Sequence, residues 1–245
     1  MKKYKLRLIL LMSFFISMNA LAQKQYDIVV YGGTSAGISA AIQASRMGKS
    51  VALIEPTDCL GGLTTGGLGQ TDIGNKQAIG GISREFYQNI RKYYDNPKNW
   101  KWQSKEEYAD DGQTRTSKEE DTMWTFEPSA AKYVFAEMIA PEKIDIFYNL
   151  RLNRETGVKM KDKQISVIKM ETGESFKGKM FIDATYEGDL MAAAGVSYTI
   201  GRESNAVYGE TLKGVQANRL SYTLKRWTST NGYNHNFVEG VDPYI

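Results

Sequence analysis

Cysteine and histidine are almost missing from this 245-residue chain, which holds one of each, Cys59 and His235. One cysteine excludes an internal disulfide, a four-cysteine zinc site and a self-contained iron–sulfur cluster. One histidine excludes a two-histidine metal site built from this chain alone. A real excess of positive charge is missing too. The formal net charge is +3, but Lys2, Lys3, Lys5 and Arg7 crowd the extreme N-terminus, and without them the 28 acidic residues outnumber the basic ones. The composition therefore points to no nucleic-acid partner. With 42% hydrophobic and 24% charged residues the chain is neither disordered nor fibrous, and its length allows one large domain or two small ones.

What is present begins with an address. Lys2 to Arg7 form a positive segment, Leu8 to Met18 an apolar run too short to cross a bilayer comfortably, and Ala20-Leu21-Ala22 a small-residue cleavage site. Residues 1–22 therefore read as a signal peptide cleaved near Ala22-Gln23, with an uncleaved membrane anchor as the alternative. No cysteine for a lipid anchor follows the run, and no twin arginine precedes it. The expectation is export to the periplasm or medium by the general secretory route, with no stable membrane insertion afterwards.

Tyr26-Asp27-Ile28-Val29-Val30-Tyr31 is a continuous apolar run of the kind a doubly buried strand needs. Gly32-Gly33-Thr34-Ser35-Ala36-Gly37 follows at once, then a helix from Ile38 to Arg46 closed by Gly48, then a second buried strand, Val51 to Ile54, ending in Glu55. A dinucleotide needs this order. The turn aims backbone N–H groups and the positive helix end at a pyrophosphate, and the acid accepts from an adenosine ribose about 20 residues further on. Thr34 stands where the fingerprint has its second glycine; its side chain reduces clearance, and its hydroxyl could donate to a phosphate oxygen. The alternative is an ordinary βαβ unit whose glycines only make the turn.

A second cluster, Leu60-Gly61-Gly62-Leu63-Thr64-Thr65-Gly66-Gly67-Leu68-Gly69, has no general use in nicotinamide-binding domains. An extended flavin dinucleotide lies along such a loop, which comes close without side chains and offers the Thr64 and Thr65 hydroxyls. A flexible linker is the alternative, although linkers favour polar residues over this Gly, Leu and Thr mixture.

These stretches, with Gly80-Gly-Ile-Ser-Arg-Glu-Phe-Tyr87, Phe126-Glu-Pro-Ser129, Phe181-Ile-Asp-Ala-Thr-Tyr-Glu-Gly-Asp189 and Tyr208-Gly-Glu210, resemble FAD-dependent oxidoreductases of the glutathione-reductase-like superfold. The resemblance is to exported proteins of Bacteroidetes, often grouped with the flavoprotein subunit of heterodisulfide reductase, and covers nearly all of residues 23–245. It implies an α/β fold: a Rossmann-like FAD-binding domain over 23–85 and 127–190, an insertion at 86–126, and the start of an incomplete substrate or cap domain at 191–245. It implies FAD as cofactor, held by Gly32, Gly33, Thr34, Ser35, Ala36, Gly37, Glu55, Gly61, Gly62, Thr64, Thr65, Leu152, Ala184, Thr185 and Asp189. Leu152 is expected beside the adenine, and the Ala184–Asp189 turn near the dinucleotide. The partners expected are a small organic substrate, a carbohydrate derivative among the candidates, and an electron acceptor that the sequence does not name.

The remaining residues fit that frame. Pro128 opens an amphipathic helix carrying Ala131, Val134, Phe135 and Met138. Ile144 to Leu150 reads as a third strand, Gln164–Met170 and Ser175–Gly178 as a meander, and Met180 to Ala184 as another buried strand. Asp189 reads as a helix cap, as a cofactor neighbour, or both. Phe86, Ile90 and Tyr94 share a helical face and suggest core. Trp100, Trp102 and Trp124 read either as ring-stacking platforms or as aromatics covering the nucleotide domain. Lys105 to Asp121 reads as a solvated loop, and Cys59 as a small buried side chain. No catalytic group stands out. His235, in a polar loop, is the one histidine available as a proton carrier or covalent flavin attachment. Relatives run on past Pro243-Tyr244, so the expectation is a truncated chain. A non-catalytic remnant and an NAD(P)-dependent reductase remain the alternatives to a flavin oxidoreductase.

Overall fold

The computed structural model describes residues 25–108, 120–199 and 209. Residues 1–22, most of the 105–121 charge run, most of 191–245, and with them Tyr208, Glu210 and His235, lie outside the described residues. The chain divides into two compact units, Met1–Val196 and Ser197–Ile245, and every described helix and strand belongs to the first.

Six strands form one mixed sheet: β1 (Gln25–Tyr31), β2 (Val51–Ile54), β3 (Ile144–Phe147), β4 (Val158–Lys161), β5 (Gln164–Lys169) and β6 (Ser175–Asp183). Their order is β3-β2-β1-β6-β5-β4. The β3-β2-β1-β6 half is parallel and the β6-β5-β4 half antiparallel. Between β1 and β2 runs α1 (Ser35–Arg46). It ends in a Schellman motif: Gly48, at φ +75°, donates to Ser45 O and Lys49 donates to Ala44 O. A single turn, α2 (Leu63–Gly66), follows β2. Then come α3 (Gly81–Asp95) and α4 (Pro128–Ile139), which starts with Pro128 in its first turn, and finally α5 (Asp189–Ala193).

Alternation along β1 and β2 builds two cores. Val30, Val51 and Leu53 face α1, α3 and α4, where Phe86, Ile90 and Tyr94 join them. Val29, Tyr31, Ala52 and Ile54 face the other side and pack with Leu152, Ile168, Met170 and Phe176. Both faces of the central strands are thus covered, which is why their sequence is apolar without alternation.

Several strand readings need correction. Ser175–Gly178 and Met180–Ala184 are one strand, not two. Its first residues pair with β5 and the rest with β1, Lys177 facing both Val167 and Gln25. Gly178 does not end a strand; a Cβ there would lie 2.8 Å from a Val29 methyl, so glycine permits close approach. Met180 is exposed rather than buried. The third strand stops at Phe147, three residues short of Leu150. The strand β4 carries no turn mark in the sequence, because it turns into β5 through Asp162 and Lys163, both at positive φ, without the glycine usual in such turns. In the 86–126 segment Trp124 is fully buried, Trp100 is half-buried with its indole N–H on Tyr94 O, and Trp102 is exposed.

Candidate dinucleotide site

Three loops meet at the C-terminal edge of β1, β2 and β6, where the parallel strands deliver them together. The first is the Gly32–Gly37 turn. Gly32 has φ +101°, and a Cβ on it would lie 2.7 Å from Ala184 C and Thr185 N. A Cβ on Gly37 would lie 1.9 Å from Gly32 O. Glycine is therefore required at both positions, and the chain passes straight from β1 into the first turn of α1. Thr34 is the N-cap of α1: its Oγ1 accepts from Gly37 N at 3.3 Å and donates to Ala184 O at 2.8 Å. That corrects the expectation of a phosphate donor, because the Thr34 hydroxyl is engaged inside the protein and ties the turn to the loop after β6.

The second loop follows β2. Glu55 is buried, and its carboxylate gathers three donors: Gly33 N at 2.7 Å on Oε2, and Thr57 N at 2.8 Å and Thr57 Oγ1 at 2.7 Å on Oε1. Gly61 N donates to Gly33 O at 2.7 Å, and Ser35 Oγ lies 2.8 Å from Thr64 Oγ1, so the two glycine loops are joined along their length. Thr65 behaves differently from Thr64. It is buried, with its hydroxyl turned inward to donate to Leu60 O at 2.6 Å. Cys59 is half-buried beside this loop rather than fully enclosed.

The third loop follows β6 and repeats the chemistry of the second. Asp183 closes β6 as Glu55 follows β2, each two residues before a threonine. Its Oδ1 accepts from Thr185 N at 3.0 Å and Thr185 Oγ1 at 2.7 Å, and its Oδ2 accepts from Met191 N in α5 at 2.8 Å. The N-cap of α5 is Gly188 at φ +71°, so Asp189 is the first helical residue and not the cap. The Thr185 hydroxyl and the Asp183 carboxylate supply the capping acceptors instead.

Between these loops lies a cleft of about 470 Å³, lined by Gly32, Thr34, Glu55, Gly62, Leu152, Thr185 and Asp189. This is the size of an ordinary ligand site. Ala184 packs in the core beneath it. Tyr31, Arg151, Arg154 and Tyr186, which are not among the individually expected site residues, line it as well. Tyr31 accepts from Leu152 N at 2.9 Å. Burial, with Asp189, Asp183 and Glu55 nearby, pushes its phenol above the ordinary tyrosine range, so it stays neutral and keeps a proton to donate. Arg154 meets Asp189 at 3.4 Å. Among the described residues no cluster of three His, Cys, Asp or Glu side chains could hold a metal ion.

The sequence model of the family described as FAD dependent oxidoreductase matches residues 27–242. The chain belongs to that family. Similar solved structures include L-proline dehydrogenase from P. horikoshii, at 16% identity over 74% of this chain and 59% of that chain, with a TM-score of 0.45. Thermovibrio ammonificans THI4 shares 13% identity over 83% of this chain and 75% of that one, at TM-score 0.47. The 3-ketosteroid-Δ4-(5α)-dehydrogenase from Rhodococcus jostii RHA1 shares 17% over 65% and 45%, at TM-score 0.40. This chain spans 59% of the length of the proline dehydrogenase. No curated protein matches it.

The residues present fit the dinucleotide of that family's cofactor. Gly32, at φ +101°, lines the cleft without a side chain, directly before the N-cap of α1. Glu55 borders the cleft, and its Oε2, which takes a single protein donor, keeps an acceptor position.

Proposed function

We propose that this protein is an exported flavoprotein of the Bacteroidetes type, related to the heterodisulfide reductase flavoprotein group. In this reading it moves electrons between FAD and a small organic substrate, with a separate electron acceptor. The observation that carries the reading is the joint at Gly33: one buried carboxylate, Glu55, grips the glycine turn and borders the cleft that the turn opens. Export rests on the sequence of residues 1–22.

In this assignment the first-turn amides of α1 and its positive end receive the diphosphate. Glu55 accepts from the ribose hydroxyls, and the Leu152 segment borders the adenine. Ser35, Ala36, Gly61, Gly62 and Thr64 let the chain pass close to the dinucleotide. Thr34, Thr65, Thr185 and Asp183 act indirectly, by holding the three loops in register. When bound, the flavin ring supplies the redox chemistry. Titration of the purified full chain with FAD tests the proposal. Saturable binding with a perturbed visible flavin spectrum is the expected result, and intact mass reports any covalent link. Tight NAD(P) binding with no uptake of FAD would overturn it in favour of a nicotinamide-dependent reductase; uptake of neither would leave a non-catalytic remnant.

A further inference from the structure

Tyr186 is 57% exposed, and no core packing accounts for where its ring lies. Its hydroxyl nevertheless has a defined partner across the cleft, accepting from Leu63 N at 2.7 Å. That bond joins the loop after β6 to the loop after β2. Gly62, which precedes Leu63, is built to admit the phenol: it has φ +53°, and a Cβ there would lie 2.2 Å from the Tyr186 hydroxyl. Gly62 also offers no side-chain cap to α2, so the tyrosine oxygen takes over that task. A hydroxyl that accepts one bond still has a proton to give. Tyr186, Gly62 and Thr34, the N-cap of α1, line the same cleft.

We propose that Tyr186 is a clasp on the bound dinucleotide. It holds the Leu63 amide with its lone pair, donates its own proton to the diphosphate, and lays its ring over the mouth of the cleft. This rests on the dinucleotide reading above and adds to it a residue that recognises the anionic linkage rather than the adenosine.

The test compares wild type, Tyr186→Phe and Tyr186→Ala in the full chain, with FAD, ADP and adenosine as probes. Loss of one charge-assisted hydrogen bond predicts about tenfold weaker FAD and ADP binding in Tyr186→Phe, with adenosine binding unchanged. Removal of the ring in Tyr186→Ala adds a further loss, carried mainly by faster FAD release in stopped-flow displacement. An equal drop for adenosine and ADP would mean that the tyrosine only positions loops, and would overturn the clasp. Unchanged ADP and FAD binding in Tyr186→Phe would overturn it as well. Wild-type protein that binds neither FAD nor ADP would instead sink the underlying dinucleotide reading, so the two failures are separable.

Discussion

Replacing Glu55 with Gln changes almost no volume but removes the charge and half the accepting capacity at the joint of the two glycine loops. The carboxylate receives three bonds, from Gly33 N, Thr57 N and Thr57 Oγ1. A glutamine has one oxygen. In its better orientation that oxygen keeps both Thr57 donors, and the new NH₂ group is turned against the Gly33 amide. The site is buried, so two donors face each other without water between them. Loss of a hydrogen bond to a charged group costs about 1.5–3 kcal/mol, and the two surviving bonds become neutral and weaker. A destabilisation of about 2–3 kcal/mol follows, to be read as a lower urea midpoint with an unchanged slope. Ribose hydroxyls would also lose a charged acceptor, so FAD affinity in a fluorescence titration should fall about 10- to 100-fold. A variant with wild-type midpoint and wild-type FAD affinity would refute both the structural and the ligand role assigned to Glu55.

Two further substitutions separate close packing from backbone conformation. Alanine normally favours a helix over glycine by about 1 kcal/mol, but Gly37→Ala places a methyl 1.9 Å from Gly32 O and 3.2 Å from Ala184 Cβ. It should destabilise by about 1–3 kcal/mol. Gly48→Ala meets no atom within 4 Å and bears only the left-handed φ of +75°, at about 1 kcal/mol. Thermal melts that rank Gly48→Ala as the more damaging would contradict the crowded-turn account. On the surface, the Arg46 guanidinium meets both Glu85 oxygens, at 2.6 and 2.8 Å, and holds the Glu85 carboxyl below the usual glutamate range. A carboxyl lowered by folding stabilises the protein above its unfolded value, and that contribution fades as pH falls through the folded value. The stability difference between wild type and Glu85→Gln should therefore be full at pH 7, no more than about 1 kcal/mol for so exposed a pair, and fade as the pH falls through the carboxylate range or as salt rises. Denaturation curves across pH measure it; a difference that grows on acidification would contradict the assigned sign.

Legibility from sequence tracked how local each interaction is. The Tyr26–Glu55 unit was readable because a buried strand, a glycine turn and a capped helix each leave a mark within a few residues. Gly48 at the end of α1 and Pro128 at the start of α4 are signals of the same kind. The contacts that no local pattern marks act over long separations. Thr34 bonds Ala184, Tyr31 bonds Leu152, and Tyr186 bonds Leu63, across 150, 121 and 123 positions. Asp183 could have been found, since it repeats the acid-x-Thr pattern of Glu55-Pro56-Thr57 at another strand end, with the same pair of threonine donors on its carboxylate.

Period, composition and spacing alone thus determined that a βαβ unit with a glycine turn and a strand-end acid exists here, because apolar runs, φ-permissive residues and caps act through neighbouring backbone. Only the tertiary structure decided which hydroxyls face a ligand and which face the protein. The Thr34 hydroxyl donates to Ala184 O, an acceptor in a loop brought alongside by strand pairing between β1 and β6. The direction of a hydrogen bond is in this sense a property of the assembled sheet edge, not of the residue that makes it.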